Sequence, residues 1–271
     1  MGHSFFGDTV NKAMNFGKNF FLIFLPFHIL GLIGINYVNE YTVELILFFL
    51  LFGVIGNGIG GHRYFAHGQF EVIAPIKWIL GFVTTLGAIG PLHYWIIQHK
   101  THHLLSDTES DPHSPAHGVW HTFYSWTFSQ GSNEHLYMKE RFAKKIAVRL
   151  AKDNFYKFFS NYHYLIIYLF CFILFLIDYR LLFIYSLSYV IDFFKLGLVN
   201  YFCHRSGYRN HNTKDSSTNN FLLGYLTFGF GWHNNHHANP GKLILTEKWW
   251  ELDIEGYIGF LISKMKISFN K

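Results

Sequence analysis

Residues 181 to 203 read LLFIYSLSYVIDFFKLGLVNYFC, and this stretch decides the class of fold. Its length lies within the roughly 17 to 25 residues that an α-helix needs to cross a bilayer, and most of its side chains are apolar. Three more stretches share this character, although one is only marginally long. The predicted spans are residues 20–37, 43–59, 162–177 and 181–203. The connections NYVNEYTVE and DYR are so short that neighbouring spans must form antiparallel hairpins.

The composition also indicates a membrane protein. Half of the 271 residues are hydrophobic, 20% are aromatic and only 14% are charged. We therefore expect a single integral-membrane domain over residues 1–271. The net charge of +5 fits membrane orientation better than nucleic-acid binding. Cys171 and Cys203 lie in apolar segments and predict no disulfide framework. Asp192 and Lys195, inside the last span, are three residues apart and can pair on one helix face.

The distribution of Lys and Arg predicts the orientation in the membrane. These residues cluster in the N-terminal tail, in residues 60–161 and after residue 204, whereas the two short loops hold only Arg180. By the positive-inside rule the three basic segments are cytoplasmic. The apolar window 78–98 contains several Gly residues and a Pro, which favours broken helices at the membrane interface over another span. The expected fold is an all-α, multi-pass membrane protein with four transmembrane helices and a cytoplasmic helical cap.

Histidines are clustered at unusual spacings. The pattern H-x-x-H-H occurs twice, as HKTHH (99–103) and HNNHH (233–237), and HRYFAH (62–67) forms a third cluster. With 18 histidines in 271 residues, this pattern is expected only about 0.08 times by chance. The stretch GNGIGG (56–61) has the letters of a dinucleotide-binding fingerprint. It ends a membrane span instead of following a strand, so we interpret that match as coincidence.

The histidine spacings indicate metal binding. Residues three and four apart share a helix face, so each H-x-x-H-H motif can supply one metal or two neighbouring metals. His62 and His67 would lie about 140° apart on an α-helix, which suits two different metals or a helix end. Asn200 and His204 share a face at the end of the last span. The nine candidate ligands are His62, His67, His99, His102, His103, His204, His233, His236 and His237.

Nine imidazoles exceed what one metal can bind, and two metals fit. A structural zinc site usually contains cysteine, whereas a redox-active pair at a membrane surface indicates iron and O₂ chemistry on a lipid. We interpret the unclustered histidines, among them His113, His117 and His163, as ordinary hydrogen-bonded or interfacial residues.

The three histidine motifs resemble those of the membrane-bound fatty acyl desaturases of the stearoyl-CoA desaturase type. That family carries H-x4-H, H-x-x-H-H and H-x-x-H-H in this order, with two spans between the second and third. The flanking segments HHLLSDTESDPHSP (102–115) and KWWELD (248–253) are also similar, and the resemblance covers about residues 43–262. One departure is Gly229-Phe230-Gly231, where the family often has Gly-Glu-Gly. If that carboxylate orients a ligand histidine, another acid must replace it here or the site is altered.

The resemblance implies O₂-dependent insertion of a cis double bond, at Δ9, into a saturated fatty acyl chain. It also implies two iron ions on the cytoplasmic side, with His204 as a ligand and Asn200 holding a metal-bound water. The acyl carrier stays open between acyl-CoA, acyl-lipid and acyl-carrier protein (acyl-ACP). We expect two electrons from a separate donor of ferredoxin or cytochrome b5 type, because no cluster-binding or haem-binding motif occurs in these residues.

Two alternatives to a desaturase stay open at this point. One is a di-iron lipid hydroxylase on the same histidine scaffold, because both reactions begin with hydrogen abstraction. The other is a non-catalytic multi-span protein whose histidines bind metal or sense pH.

Overall fold

The computed structural model describes residues 20–127 and 133–265. Within these ranges the chain is helical, with two isolated β-bridges and no β-strand, which confirms the all-α prediction. The helices are α1 (Phe21–Tyr37), α2 (Thr42–Ala66), α3 (Ala74–Leu86), α4 (Leu92–Leu105), α5 (Val119–Phe123), α6 (Asn133–Leu150), α7 (Asn154–Asn161), α8 (His163–Ile177), α9 (Tyr179–Phe202), α10 (Phe221–Leu226), α11 (His233–Ala238) and α12 (Ile254–Lys264).

Two described helices, α2 and α9, are long and apolar enough to cross a membrane. Helices α7 and α8 meet that standard only together, as one span bent by 55°. Helices α1 and α3 are apolar but shorter. The predicted second and last spans are thus present as long helices, and the four-span arrangement stays a prediction. Large apolar side chains are exposed on α1 and α8, as at Leu32 (68%) and Ile177 (69%), which is expected of surfaces that face lipid.

Helix α2 differs from the predicted second span in its length and winding. The prediction ended at Ile59, but the helix continues to Ala66 and brings His62 onto the same element as the span. From Phe49 onward it is wound as a π-helix, in which each amide bonds to the carbonyl five residues back. The membrane span and the first histidine motif are therefore one continuous helix.

Glycines on α2 allow buried acids to approach its backbone. A Cβ at Gly53 would lie 2.8 Å from the Asp192 carboxylate, and one at Gly58 would overlap the Glu255 carboxylate. A larger residue at either position would displace the acid. Part of the GNGIGG stretch therefore has a packing role, and its helical setting agrees with our interpretation that the match to the dinucleotide fingerprint is a coincidence.

The buried acids belong to an ionic network that joins α2, α9 and α12. Lys195 Nζ lies 2.7 Å from Asp192, so the predicted pairing of these two residues is confirmed, and it occurs inside the protein. Arg63 Nη2 pairs with Asp253 at 2.7 Å. Burial raises the pKa of Glu255 to about 7, although Lys195 and Arg63 lie nearby and oppose the shift. The network fixes α12 against the end of α2 that carries His62.

The apolar window 78–98 is broken, as predicted. Helix α3 ends at Leu86 and α4 begins at Leu92. The residues between them include Ala88 at φ 58° and Gly90 at φ 121°, conformations that interrupt a helix. The side-chain amide of Asn57 donates to the Gly87 carbonyl at 3.1 Å and ties the break to α2. The break lets α4 start in a new direction and carry its histidines towards the end of α2.

Candidate metal centre

Four parts of the chain carry the nine predicted histidines to one place. The end of α2 supplies His62, and His67 is the residue that caps it. Helix α4 carries the HKTHH motif and α11 carries the HNNHH motif. His204 follows the C-terminal end of α9. Six of the nine side chains are buried and three are partly exposed, so the centre is largely shielded from solvent.

The nine histidines form two groups in which all candidate donor nitrogens lie within 4.8 Å of one another. We call them the five-histidine cluster and the four-histidine cluster. The five-histidine cluster contains His62, His67, His99, His103 and His236. The four-histidine cluster contains His102, His204, His233 and His237. Each group has enough imidazoles to hold one metal ion, so the geometry suits two metals.

Each H-x-x-H-H motif divides between the two clusters. In α4 the first and last histidines, His99 and His103, join the five-histidine cluster, and His102 joins the other. In α11 only the middle histidine, His236, joins the five-histidine cluster. On an α-helix the i+4 residue lies about 40° to one side of i and the i+3 residue about 60° to the other side, so one face can direct i and i+4 to one point and i+3 to a neighbouring point. This division fits the expectation that one motif can serve two neighbouring metals.

His62 and His67 belong to the same cluster. They lie at the end of α2, which fits the expectation of a helix end better than that of two different metals. The π-helical winding of α2 brings residues five apart onto nearly the same side, and the amide of His67 donates to the carbonyl of His62 at 3.1 Å. The α-helical spacing used in the prediction does not apply to this helix.

The imidazoles of each cluster point their Nε2 atoms at one another. His67 Nε2 lies 2.7 Å from His99 Nε2, and His233 Nε2 lies 3.1 Å from His204 Nε2. Moreover, the buried Nε2 atoms of His102 and of His237 have no hydrogen-bond partner among the described residues. Converging nitrogen lone pairs without enough donors are unfavourable unless a cation lies between them. The residues present therefore fit bound metal ions.

The donor set also narrows the type of metal. All candidate donors are imidazole nitrogens, which suit Zn, Cu, Fe and Ni, and the nearest cysteine in sequence, Cys203, is in neither cluster. Burial lowers the pKa of His67 to about 3 and lowers that of His99 well below its usual value. Imidazoles in such surroundings stay neutral at physiological pH, which is the form that binds metal.

Carboxylates orient the rings of the four-histidine cluster. Nδ1 of His102 bonds to Asp111 at 2.9 Å, and Nδ1 of His237 bonds to Asp215 at 2.8 Å. Nδ1 of His204 lies 3.1 Å from a carboxylate oxygen of Asp107. The three aspartates that contact these rings are Asp107, Asp111 and Asp215. A carboxylate on Nδ1 fixes the tautomer and directs Nε2 towards the metal.

Sequence reasoning did not assign these three aspartates a role. Asp107 and Asp111 lie in the segment directly after the HKTHH motif, where acids at short spacing were the available signal. Burial opposes ionisation of Asp111, but the His102 imidazole and its hydrogen bond hold the pKa of that carboxyl well below its usual range. His113, interpreted from the sequence as a bystander, lies with its ring 4.3 Å from that of His102.

Phe230 contacts the five-histidine cluster directly. Its ring centroid lies 4.6 Å from that of His62, and Nδ1 of His62 is buried without a hydrogen-bond partner in the described part of the chain. Phe230 stands where the sequence resemblance leads us to expect a glutamate that could orient a ligand histidine. For His62, no acid within the described ranges does so.

The two asparagines of HNNHH hold α11 in place. Asn235 donates to Glu251 at 2.9 Å and to the Leu245 carbonyl at 2.8 Å, and it accepts from Asn219 at 2.7 Å. Asn234 accepts from two backbone amides at 2.8 Å. Both asparagines are buried, as are Asn219, Leu245 and Glu251, so the bonds among them fix the helix firmly. The two asparagines between the histidines of HNNHH, and the glutamate of KWWELD, therefore have a structural role.

An apolar cavity that is partly open to solvent adjoins the centre. Half of the residues that line it are Phe, Trp or Tyr, among them Phe24, Trp95, Phe123, Tyr189 and Phe193. Polar groups enter it from the metal side, where Asn200 and His113 line it. Asn200 lies one helical turn before His204 of the four-histidine cluster. The cavity therefore combines an apolar volume with access to the candidate metal centre.

Comparison with known proteins gives a consistent result. A family model described as fatty acid desaturase matches residues 19–253. An sn-1 stearoyl-lipid 9-desaturase from Anabaena variabilis is 32% identical over 86% of this chain and 85% of its own length. An icosanoyl-CoA 5-desaturase from Limnanthes douglasii is 31% identical over 81% of this chain. A palmitoyl-monogalactosyldiacylglycerol delta-7 desaturase from Arabidopsis thaliana is 29% identical over 91% of this chain. The chain spans only 62% of the Limnanthes protein's length.

Proposed function

Because the chain belongs to the fatty acid desaturase family, we propose that it is an O₂-dependent fatty acyl desaturase that inserts a cis double bond into a saturated acyl chain. We further propose that the position is Δ9, which the name of the Anabaena relative supports. Other relatives act at positions 5 and 7 by their names, so the position needs its own measurement.

The observation that carries this proposal is the pairing of the two histidine clusters with an apolar cavity. Nine imidazoles in two adjacent groups suit two metal ions, which we propose to be iron. The cavity beside them has an aromatic wall and few polar groups, as an acyl chain requires. A metal-storage or pH-sensing protein has no need of such a cavity.

The histidines would hold two iron ions, and bound iron supplies the redox chemistry with O₂ that amino-acid side chains lack. The chain's own residues set the geometry. The nine imidazoles would hold both ions, and the aspartates on Nδ1 restrain the rotation of three of the rings. Asn200, on the cavity wall, would hold a water beside the four-histidine cluster.

The cavity wall would position the substrate. An unactivated methylene has no acidic proton, so the residues cannot act on it by general acid–base catalysis and must place it correctly instead. The aromatic side chains of the cavity would exclude water from the acyl chain and from the metal centre. The carrier of the acyl group is proposed to be CoA or a glycerolipid, as in the names of the relatives, with acyl-ACP a third possibility.

The two electrons would come from a separate donor protein of ferredoxin or cytochrome b5 type. An exposed basic surface on and after α6 supports an acidic protein partner. Its members are Arg141, Lys144, Lys145, Arg149 and Lys152. Helix α6 packs on α4, which carries three of the histidines, so a donor docked there would lie near the centre.

We propose that the metal centre is cytoplasmic and that four helices span the membrane. Support comes from the positive-inside distribution and from the two long helices and the bent pair. In a background without Cys171 and Cys203, a cysteine at the exposed Lys145 should be labelled by an impermeant reagent from the cytoplasmic side only. A cysteine at Asn39, in the loop between α1 and α2, should be labelled from the opposite side only. Labelling of both from the same side would contradict the four-span topology.

The activity is tested by expression in a host that lacks its own desaturase and depends on added unsaturated fatty acid. We expect growth without the supplement and a new monounsaturated acid, whose double-bond position is read by gas chromatography and mass spectrometry of its dimethyl disulfide adducts. A variant lacking His102 serves as the control. A hydroxylated product, or no new fatty acid from iron-loaded protein supplied with a reduced donor, would contradict the desaturase proposal.

A further inference from the structure

The two histidine clusters differ in the groups that lie behind their imidazoles. Three of the four rings in the four-histidine cluster have a carboxylate on Nδ1, at 2.8 to 3.1 Å. In the five-histidine cluster, no described carboxylate lies within 4.0 Å of any ring nitrogen. Two of its rings, His62 and His236, have a buried Nδ1 with no hydrogen-bond partner in the described ranges.

From this asymmetry we propose that the two clusters bind metal with unequal affinity and that the four-histidine cluster fills first. This inference rests on the two-metal centre of the proposed function. Its subject is the ranking of the two sites, which neither the family match nor the relatives' names address.

The physical reason is the charge behind the ligands. A carboxylate on Nδ1 makes the imidazole a stronger donor, holds it in the binding tautomer and adds a negative charge near the cation. Removing one such partner typically lowers metal affinity by about 10- to 100-fold. The four-histidine cluster has three of these partners. The five-histidine cluster has one more imidazole, but an imidazole adds no negative charge. In addition, two of its rings have no hydrogen-bond partner on Nδ1, among the described residues, to fix their tautomer.

The aspartates are themselves held in place. Asp107 adopts φ 62°, and its carboxylate also accepts the amide of Ser216 at 2.7 Å. Asp111 accepts the amides of Asp107 and His113, at 3.0 and 3.2 Å. An aspartate tolerates this left-handed backbone better than most residues do. The acids are therefore already oriented towards the rings before metal binds.

Phe230 occupies the place from which a carboxylate could reach the five-histidine cluster. Its ring lies 4.6 Å from His62 and 6.1 Å from His233, centroid to centroid. An aromatic ring there excludes water and supplies no charge. The side chain at position 230 thus helps to keep the five-histidine cluster the weaker of the two sites.

The ranking is tested on the full chain in detergent, stripped of metal by a chelator and titrated anaerobically with Co²⁺. The visible absorption of Co²⁺ reports its coordination without any need for activity. We expect two equivalents to bind in two phases that differ at least about 10-fold in affinity. His204→Ala should remove the tight phase only, and His62→Ala should remove the weak phase only.

Substitutions outside the ligand set test the cause of the ranking. Asp215→Asn should weaken the tight phase by about 10- to 100-fold and leave the weak phase unchanged. Asp153→Asn, at an acid that caps α7 away from the centre, is the matched control and should change neither phase. Phe230→Glu should strengthen the weak phase, whereas the uncharged Phe230→Gln should not.

Two outcomes would overturn the ranking while leaving the desaturase proposal intact. One is the binding of two equivalents with a single affinity, and the other is an Asp215→Asn variant that weakens both phases equally. Binding of no more than one equivalent by the unaltered protein would instead overturn the two-metal centre, and with it the proposed function.

Discussion

Replacing His102 or His236 by Ala is expected to abolish desaturation and to reduce the bound metal. Each variant removes one imidazole from a cluster whose other nitrogens lie within 4.8 Å of it, one variant in each cluster. The acids Asp107 and Asp215 already bond to the rings of His204 and His237. Since losing an outer partner alone costs about 10- to 100-fold, losing a ligand should cost more than about 100-fold in activity.

The measurement compares product formation and metal content at matched expression. Product is followed as the ratio of unsaturated to saturated acid by gas chromatography, and metal by elemental analysis of the purified protein. His117→Ala is the control, because its side chain is exposed and it belongs to neither cluster. If His102→Ala retains full activity, or if His117→Ala loses both metal and product, the assignment of the ligands is wrong.

Asn200→Ala separates a ligand from a residue that holds water. Asn200 lines the cavity and belongs to neither cluster. We expect this variant to keep its metal and to lose about 10- to 100-fold in turnover, as is typical when an outer partner is removed. The activity of Asn200→Ala should therefore lie between that of the two histidine variants and that of the control.

Arg63→Met is expected to destabilise the protein strongly. The Arg63 side chain is fully buried, pairs with Asp253 at 2.7 Å, lies 3.6 Å from Glu255 and donates to the Leu243 carbonyl. Without the guanidinium, the two acids stay buried without their main cation. Breaking a buried ion pair on one side typically costs about 3–5 kcal/mol, because the remaining charge is uncompensated. The midpoint of thermal unfolding in detergent should fall accordingly.

Lys77→Met is the matched control for that experiment. The Lys77–Asp153 pair has a comparable separation of 3.3 Å, but its side chains are 29% and 44% exposed. Exposed ion pairs contribute about 0–1 kcal/mol, so the control should unfold close to the unaltered protein. Equal unfolding midpoints for the two variants would show that burial of the Arg63 network does not stabilise the fold.

The sequence by itself determined the class of fold and the residues of the centre. The length of an apolar stretch is a local property of the sequence. The helices α2 and α9 could therefore be predicted without knowing what packs against them. The repeated H-x-x-H-H spacing was likewise local, and all nine clustered histidines lie in the two groups. The Gly and Pro residues near position 90 also predicted the break between α3 and α4, because backbone preferences act within a few residues.

Only the tertiary structure decided how these residues are divided. The assignment of His99 and His103 to one cluster and His102 to the other depends on where α11 and the end of α9 lie. The placement of His62 and His67 together depends on the π-helical winding of α2, which the letters HRYFAH do not specify. The aspartates behind the four-histidine cluster come from two loops, one after α4 and one that holds Asp215. Contacts between segments that are distant in sequence depend on how the helices pack. The spacing of residues within one segment does not reveal that packing.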